Sequence, residues 1–250
     1  LEPSPITFNL VDQNNANCNE DAQVTVQATG GSGGFTYAFV EDGVAPVPGD
    51  FSASSYAELD PAVNTDWDAY AMDANGCMTP PLDITITADP EPVISAVANQ
   101  CSATEGNFEI TVTLDVAGVG PYMLSLDGGA FQSTSLVNAG DTHVFTGLSS
   151  GTHTVEVRDS NSCGNLVSLD IFPPSDLTAE AVVQPTCALN DGQVLLTAYG
   201  GSGVYTYELF LGAVSVTGGP QASPLFTGLA PGTYTAFVYD SLAVGCAASS

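Results

Sequence analysis

The sequence predicts an all-β protein, a tandem array of three immunoglobulin-like β-sandwich repeats of about 84 residues each. Three observations predict this fold class. The cysteines recur with one period, the segments between them alternate between apolar and polar residues, and glycine-rich turns separate these segments every 8 to 12 residues or so. No helical pattern competes with them.

The six cysteines form two interleaved series that share a period. One series is spaced by 83 and 86 residues and consists of Cys18, Cys101 and Cys187. The other is spaced by 86 and 83 residues and consists of Cys77, Cys163 and Cys246. Each predicted repeat therefore contains one cysteine of each series.

The strand pattern repeats in the same register. Residues 23–29, 108–114 and 193–199 alternate with period two and predict one and the same strand in three copies. In another strand of the second repeat, Val155 and Val157 are predicted to point inward. About seven strands per repeat fit an antiparallel sandwich with Greek-key connections. The aromatic residues after the glycine turns, at 35–39 and 205–207, are predicted to lie in the core.

An aromatic side chain stands six residues before an aspartate in each copy. The aromatic residues are Trp67, His153 and Tyr234, and the aspartates are Asp73, Asp159 and Asp240. Because Trp and Tyr cannot replace His in acid–base chemistry, His153 is predicted to be a packing residue. His143 is predicted to lie in a loop. No nucleophile–base pair can be assembled from the sequence, which predicts that the chain is not an enzyme and has no catalytic residues.

Proline and acidic residues together mark the linkers, at residues 89–92 and 173–176. The predicted organisation is the end of a preceding repeat and a linker at 1–5, and repeats at 6–90, 91–175 and 176–250. Since four residues follow Cys246, the third repeat is predicted to lack its last strand. Either the chain is cut from a longer array, or a neighbouring molecule donates that strand.

The charge balance is extreme, with 28 acidic residues against Arg158 as the one basic Lys or Arg, and a formal net charge of −27. Nucleic acid and anionic lipid surfaces are excluded as partners, because binding them requires clustered Lys and Arg. No apolar stretch is long enough to insert into a membrane. The acidity fits either a solvated surface suited to salty surroundings or divalent cation binding.

No cofactor is predicted firmly. The calcium candidates are Asp73, Asp89, Glu91 and Asp159, and the competing interpretation is that such aspartates cap turns through their own side chains.

All six cysteines are predicted to form disulfides in an oxidising compartment, since their number is even and no zinc-type spacing occurs. Two pairings stay open. One closes a loop within each repeat, and the other is a ladder that joins Cys18 to Cys163 and Cys101 to Cys246. Strand parity opposes the first, because it places the two cysteines of one repeat at opposite ends of the sandwich.

These motifs together resemble a known family. The Gly-Gly-Ser-Gly turn before two tyrosines at residues 200–207, the Gly-Leu-x-x-Gly-Thr-Tyr step at 228–234 and the Asp-x-x-x-Cys closings at 73–77 and 159–163 resemble the SprB repeat. That repeat occurs in large secreted adhesins on the surface of gliding Bacteroidetes. The first repeat lacks the Gly-Leu-x-x-Gly-Thr-Tyr step, and the second lacks the double glycine. The resemblance implies cell-surface attachment, linked to gliding in that family, and supplies no ligand.

The predicted function is therefore an extended extracellular stalk or surface fibre. Two alternatives are a subunit of a self-assembling filament with strand exchange, and glycan-binding modules appended to a secreted enzyme. The predicted partners are flanking repeats of the same long chain, further copies in a filament, and a surface or glycan ligand that the sequence does not identify.

Overall fold

The computed structural model describes residues 4–100, 103–186, 189–243 and 246–250. Within these ranges every regular element is a β-strand, apart from one 3-10 turn at Pro48–Asp50. The strands fall into three consecutive groups, each with its own apolar core.

The first group contains six strands. They are β1 (Thr7–Asn14), β2 (Ala22–Thr29), β3 (Thr36–Glu41), β4 (Tyr56–Leu59), β5 (Asp66–Met72) and β6 (Leu82–Thr85). One sheet has the order β1-β2-β4 and the other the order β3-β5-β6.

The second group contains seven strands. They are β7 (Val93–Asn99), β8 (Phe108–Val116), β9 (Met123–Leu126), β10 (Gln132–Ser133), β11 (Thr142–Leu148), β12 (Gly151–Arg158) and β13 (Leu166–Ile171). The sheets have the orders β11-β8-β7 and β10-β9-β12-β13.

The third group also contains seven strands. They are β14 (Asp176–Val183), β15 (Gly192–Tyr199), β16 (Tyr205–Leu211), β17 (Val214–Ser215), β18 (Leu225–Leu229), β19 (Tyr234–Asp240) and β20 (Ala247–Ser249). The sheets have the orders β14-β15-β18 and β17-β16-β19-β20.

The same strand topology recurs in all three groups. In each repeat the first two strands pair with a later strand, which is β4, β11 or β18, to form one sheet. The third strand and the last two strands form the other sheet, and all neighbours are antiparallel. This is the strand order of an immunoglobulin sandwich, with a short C′ strand added in the second and third repeats. The predicted fold class is confirmed.

Alternation along the strands builds the cores. In β8 the side chains of Phe108, Ile110 and Val112 are fully buried, while the residues between them face outward or are half-buried. Val155 and Val157 of β12 are likewise fully buried, as predicted. Burial of such apolar side chains contributes roughly 1.5–3 kcal/mol each, which makes these strands the main source of stability in each repeat.

The aromatic residues after the glycine turns pack in the cores, as predicted. Tyr37 belongs to the first core and Tyr207 to the third, and both are buried. The ring of Phe8 stacks on Tyr37 with centroids 6.2 Å apart. These rings join the two sheets of a repeat and are not exposed as a sugar-stacking platform.

Two predictions about strands are wrong. The third repeat does not lack its last strand, because β20 pairs with β19 as β13 pairs with β12, although β20 is only three residues long. The chain's own residues therefore pair with Phe237, Val238 and Tyr239 of β19. His143 lies in β11 and not in a loop, with its ring 4.8 Å from that of Phe145.

The aromatic position near the start of β5, β12 and β19 makes a polar hydrogen bond as well as a packing contact. Trp67 Nε1 donates to the carbonyl of Asn64 at 2.8 Å, and the Tyr234 hydroxyl donates to the carbonyl of Ala230 at 2.8 Å. His153 Nε2 lies 3.0 Å from the Ser149 carbonyl oxygen in the same way. This is the geometry of the tyrosine corner of immunoglobulin-like sandwiches, built here with three different side chains.

His153 differs from the other two because its second ring nitrogen also has a partner, Asp127 Oδ2, at 2.8 Å from Nδ1. Burial lowers the pKa of His153, but the Ser149 carbonyl and the Asp127 carboxylate outweigh it, and the pKa is raised above its ordinary value. Only the protonated ring can donate from both nitrogens. His153 is therefore part of the corner and is not a free acid–base group.

We expect this corner to make the second repeat less stable as pH rises. The folded pKa lies above the unfolded value near 6.5, so the protonated ring's contribution is complete below pH ~6.5 and is lost as pH rises through the folded pKa. Replacing His153 by Tyr, the residue of the third repeat, should remove this pH dependence. Thermal unfolding of H153Y and the parent chain between about pH 6 and 8 measures it.

The control is Tyr234→Phe, which breaks the equivalent corner without a titrating group. It should lower the stability of the third repeat by an amount independent of pH over this range. An unchanged pH dependence in H153Y would contradict the assignment.

Candidate functional site: the junctions between repeats

A disulfide joins the first repeat to the second. Cys18, in the loop between β1 and β2, is bonded to Cys163, in the loop between β12 and β13, with a Cα–Cα distance of 5.8 Å and a sequence separation of 145. This is the pairing of the ladder alternative. It places a covalent bond across the boundary between two sandwiches.

A bond between Cys18 and Cys77 within the first repeat does not form, for a geometric reason. Cys18 precedes the start of β2, whereas Cys77 lies beside the turn that follows the end of β2, since Asp73 accepts hydrogen bonds from the backbone of both Ser32 and Cys77. The eight residues of β2 extend roughly 26 Å. That exceeds the Cα separation that a disulfide allows, about 7 Å.

The bonding state of the other four cysteines differs from one to the next where the structure describes it. Cys77 is a free, exposed thiol, so the prediction that it forms a disulfide is wrong for this chain taken alone. Cys246 is disulfide-bonded. The predictions for Cys101 and Cys187 fall on residues that the structure does not describe.

Polar side chains reinforce the junction around this disulfide. Asp89, in the linker, accepts a hydrogen bond from Asn15 Nδ2 of the first repeat at 2.7 Å and another from Asn161 Nδ2 of the second at 3.0 Å. Asn19 Nδ2 donates to the carbonyl of Asn161 at 2.8 Å. The Asp89 carboxylate thus bridges both sandwiches. The Asp89 backbone N–H also donates to the carbonyl of Ala16 at 2.8 Å.

The glycine turns contact the linker that leads into each repeat. Gly31 N–H donates to the carbonyl of Ser4 at 2.9 Å, and Gly201 N–H donates to the carbonyl of Pro173 at 2.9 Å. A Cβ atom on Gly200 would overlap the carbonyl oxygen of Pro174, and its positive φ of 69° disfavours other residues. The double glycine therefore permits the close approach between the linker and the sandwich.

The second repeat uses one glycine for the same purpose. A Cβ on Gly118 would lie 2.9 Å from the carbonyl oxygen of Pro90 and 2.6 Å from the ring of Pro92. The linker packs against this turn even though the double glycine is missing. The packing of linker on turn is thus common to all three repeats.

The three periodic aspartates hold these turns. Asp159 Oδ1 accepts hydrogen bonds from the backbone N–H groups of Asn161 and Cys163, each at 2.9 Å, and its Oδ2 accepts one from Val119 at 3.1 Å. Asp73 binds its turn in the same way. Their carboxylates are satisfied by backbone donors, which is the turn-capping role.

These contacts also affect titration. The backbone N–H groups of Ser32, Cys77 and Asn75 lower the pKa of Asp73. For Asp240, burial raises the pKa, but hydrogen bonds from Ser202, Ala243 and Leu242 outweigh it and lower the pKa overall. Both aspartates are therefore held in the charged form by the turns that they cap.

The predicted calcium candidates are not brought together as one cluster among the described residues. Asp73 and Asp159 cap turns of different repeats, Asp89 bridges the junction, and Glu91 is exposed in the linker. Within the described ranges, ligand atoms with metal-binding spacing occur instead at Asp42, Asp68 and Asp83. The sequence analysis did not single out these three residues, because their positions do not recur in the other repeats.

The described residues contain no helix that is long and apolar enough to cross a membrane. The basic side chain Arg158 is engaged, with Nη2 2.8 Å from Glu156 Oε1 and its guanidinium carbon 4.4 Å from the centre of the Phe131 ring.

Comparison with solved structures finds several multi-domain proteins of immunoglobulin type. The three N-terminal domains of the Hoc outer capsid protein of bacteriophage RB49 align over 98% of this chain and 96% of theirs, at 13% identity and a TM-score of 0.48. The ectodomain of mouse nectin-like molecule 4 aligns over 99% and 92%, at 12% identity and a TM-score of 0.30.

A C-terminal fragment of intimin, solved in complex with the intimin-binding domain of its translocated receptor, also aligns. The match covers 62% of this chain and 61% of the fragment, less than two thirds of its length, at 21% identity and a TM-score of 0.40. These likenesses concern the fold alone. The chain matches no curated protein sequence.

A scan against family models gives a match at residues 179–214, which run from β14 through the glycine turn to β17 of the third repeat. These residues include the double glycine that contacts the linker and the two tyrosines that follow it. The model that they match is the SprB repeat, which confirms, over these residues, the resemblance indicated by the turn motif.

Proposed function

We propose that this chain is a stretch of a bacterial surface adhesin, in which the repeats form a stiff extracellular stalk that holds a binding region away from the cell. The observation that carries the proposal is the Cys18–Cys163 disulfide, because it joins consecutive repeats and not the two sheets of one repeat. A bond in that position does little for the core of either sandwich. It fixes how one repeat sits on the next.

The bond also changes the path that a pulling force takes through the chain. Force applied at the two ends enters at residue 18, crosses the disulfide and leaves at residue 163, so the 145-residue interval between them carries no extension. Most of the first two repeats is then protected from mechanical unfolding. Such protection suits an element that transmits tension between a cell and a surface.

The non-covalent contacts support the same role. The Asp89 bridge to Asn15 and Asn161 and the packing of linkers on glycine turns restrict bending at the junction. The net charge of −27 makes the repeats repel one another at long range, which favours an extended array. With no lysine and one arginine, the chain also offers trypsin a single cleavage site.

Extracellular location and further repeats belong to this proposal. A disulfide of this kind persists in an oxidising compartment, and SprB repeats are features of secreted surface proteins. Cys77 occupies the position in the first repeat that Cys163 occupies in the second, including the aspartate cap at its backbone N–H. We infer that in the full protein Cys77 pairs with a cysteine of another repeat, by thiol–disulfide exchange with an oxidising disulfide that is reduced to two thiols as the new bond forms.

We propose no catalytic role for these residues. Both ring nitrogens of His153 have hydrogen-bond partners, and backbone donors satisfy the carboxylates of Asp73 and Asp159. The SprB resemblance favours a role in attachment linked to gliding instead.

Single-molecule force spectroscopy tests the force path. When both proteins also carry Cys246→Ser, so that the disulfide of Cys246 does not restrict extension, and are pulled through terminal tags, the Cys18→Ser, Cys163→Ser variant should release an additional contour length of roughly 500 Å on full unfolding, at about 3.6 Å for each of the 145 residues that the Cys18–Cys163 disulfide bypasses. The parent chain under oxidising conditions should lack this extension. Equal contour lengths for the two proteins would rule out a force-bearing junction.

Cysteine mapping tests the connectivity directly. Alkylation of the denatured, unreduced chain followed by peptide mass spectrometry should show Cys77 modified and a cross-linked peptide pair that contains Cys18 and Cys163. In Cys18→Ser, Cys163 should become modifiable as well, while Cys77 behaves as before. A cross-linked Cys18–Cys77 peptide would contradict the ladder.

A further inference from the structure

Three aspartates of the first repeat form a cluster that the fold does not need. One carboxylate oxygen each from Asp42, Asp68 and Asp83 lie within 4.8 Å of one another, the one such group found among the described residues. Asp42 is in the turn after β3, Asp68 is in β5 and Asp83 is in β6, so the group spans the three strands of one sheet. Asp42 and Asp83 are exposed, whereas Asp68 is 3% exposed.

Asp68 is incompletely satisfied. Its Oδ2 accepts a hydrogen bond from Gly43 N–H at 3.0 Å, but its buried Oδ1 has no hydrogen-bond partner. A buried carboxylate oxygen without a partner is costly.

The cluster is also electrostatically unfavourable. Asp68 and Asp83 stand directly opposite each other in the β5–β6 pair, and like charges in that relation destabilise a sheet. The first repeat contains no Lys, Arg or His that would neutralise them. A buried charge is stabilised by an opposite charge or a coordinated metal ion, and the described part of the first repeat supplies no opposite charge there.

The other repeats show that the sandwich folds without these carboxylates. Asp68 lies five residues before Asp73, and the equivalent residues before Asp159 and Asp240 are Thr154 and Thr235. Opposite Thr154 stands Ser168, in the place of Asp83. The first repeat thus has two facing carboxylates where the second has two hydroxyls, which points to a role specific to the first repeat.

We propose that Asp42, Asp68 and Asp83 bind a divalent cation of the hard, oxygen-seeking class, calcium by its size. Three carboxylates without nitrogen or sulfur ligands suit calcium or magnesium and not zinc or copper. Ligands on opposite sides of calcium are about 5 Å apart, and those of magnesium about 4 Å, so a spread of up to 4.8 Å accommodates calcium. The exposed sides of Asp42 and Asp83 leave room for water to complete the coordination.

The ion would tie the turn after β3 to β5 and β6. The Asp42 N–H already donates to the Asp66 carbonyl at 3.1 Å, and the Gly43 N–H donates to Asp68. Metal binding would add a link across all three strands and remove the repulsion between Asp68 and Asp83. The inference does not depend on the proposed stalk function, since it follows from this one cluster.

Calcium titration of the complete chain tests the site, after chelation of residual metal and in about 0.15 M salt, which screens diffuse ion binding. Trp67 is the single tryptophan and adjoins Asp68, so its fluorescence reports on the first repeat. We expect a saturable change with a Kd of about 10⁻⁴ to 10⁻³ M, as in other extracellular modules, and a higher melting temperature with calcium.

Two variants borrow residues from the second repeat, and a third serves as the matched control. Asp68→Thr and Asp83→Ser should each weaken calcium binding at least tenfold, and the exposed Asp83 keeps the test valid if Asp68→Thr fails to fold. Asp12→Asn removes one negative charge from an exposed residue of β1, in the other sheet of the same repeat, and should change the affinity by less than twofold.

Several outcomes would overturn the proposal. Equal responses in Asp68→Thr, Asp83→Ser and Asp12→Asn would show diffuse counterion binding only. No response in the parent chain would mean that a proton, not a metal ion, neutralises the cluster. Saturation by magnesium at the same concentration would overturn the assignment to calcium.

Discussion

The two cysteine loops of one sandwich lie at opposite ends of it, and the arrangement of the junction depends on this constraint. In an antiparallel sandwich the loop after the first strand and the loop before the last strand open at different ends, and the length of β2 keeps Cys18 from reaching Cys77. Each cysteine is thereby available to the repeat stacked on its own end. Cys18 and Cys163 meet because the linker places the β1–β2 end of the first sandwich beside the β12–β13 end of the second.

Most of the aspartates described above are stabilised by hydrogen bonds from neutral donors and not by salt bridges. With one arginine and no lysine, buried or half-buried aspartates find backbone N–H groups and amide side chains as partners, as Asp159 does in its turn and Asp89 does at the junction. Such hydrogen bonds to charged acceptors contribute about 1.5–3 kcal/mol each. Asp68 stands out because one of its oxygens has no partner of this kind.

The repeat period made most of the fold predictable from sequence, and features confined to one copy were harder to find. The strand at 193–199 and the inward-facing Val155 and Val157 follow from alternation, which depends only on local pattern. The disulfide pairing stayed open because periodicity allows a bond within or between repeats, although strand parity correctly opposed the first. The strand β20 was missed because three residues carry too little pattern, and the Asp68–Asp83 contact was missed because register across β5 and β6 is set by tertiary packing.

Tension and metal binding would act on different parts of the first repeat. The disulfide passes force from residue 18 to residue 163, which leaves β2 to β6 outside the loaded path and dependent on their own contacts for stability. The aspartate cluster lies within that unloaded part, at the sheet formed by β3, β5 and β6. A bound cation there would stabilise the fold of the first repeat, while the disulfide joins that repeat to the second. In the proposed stalk, covalent links would therefore stabilise the junction and an ionic link would stabilise the domain.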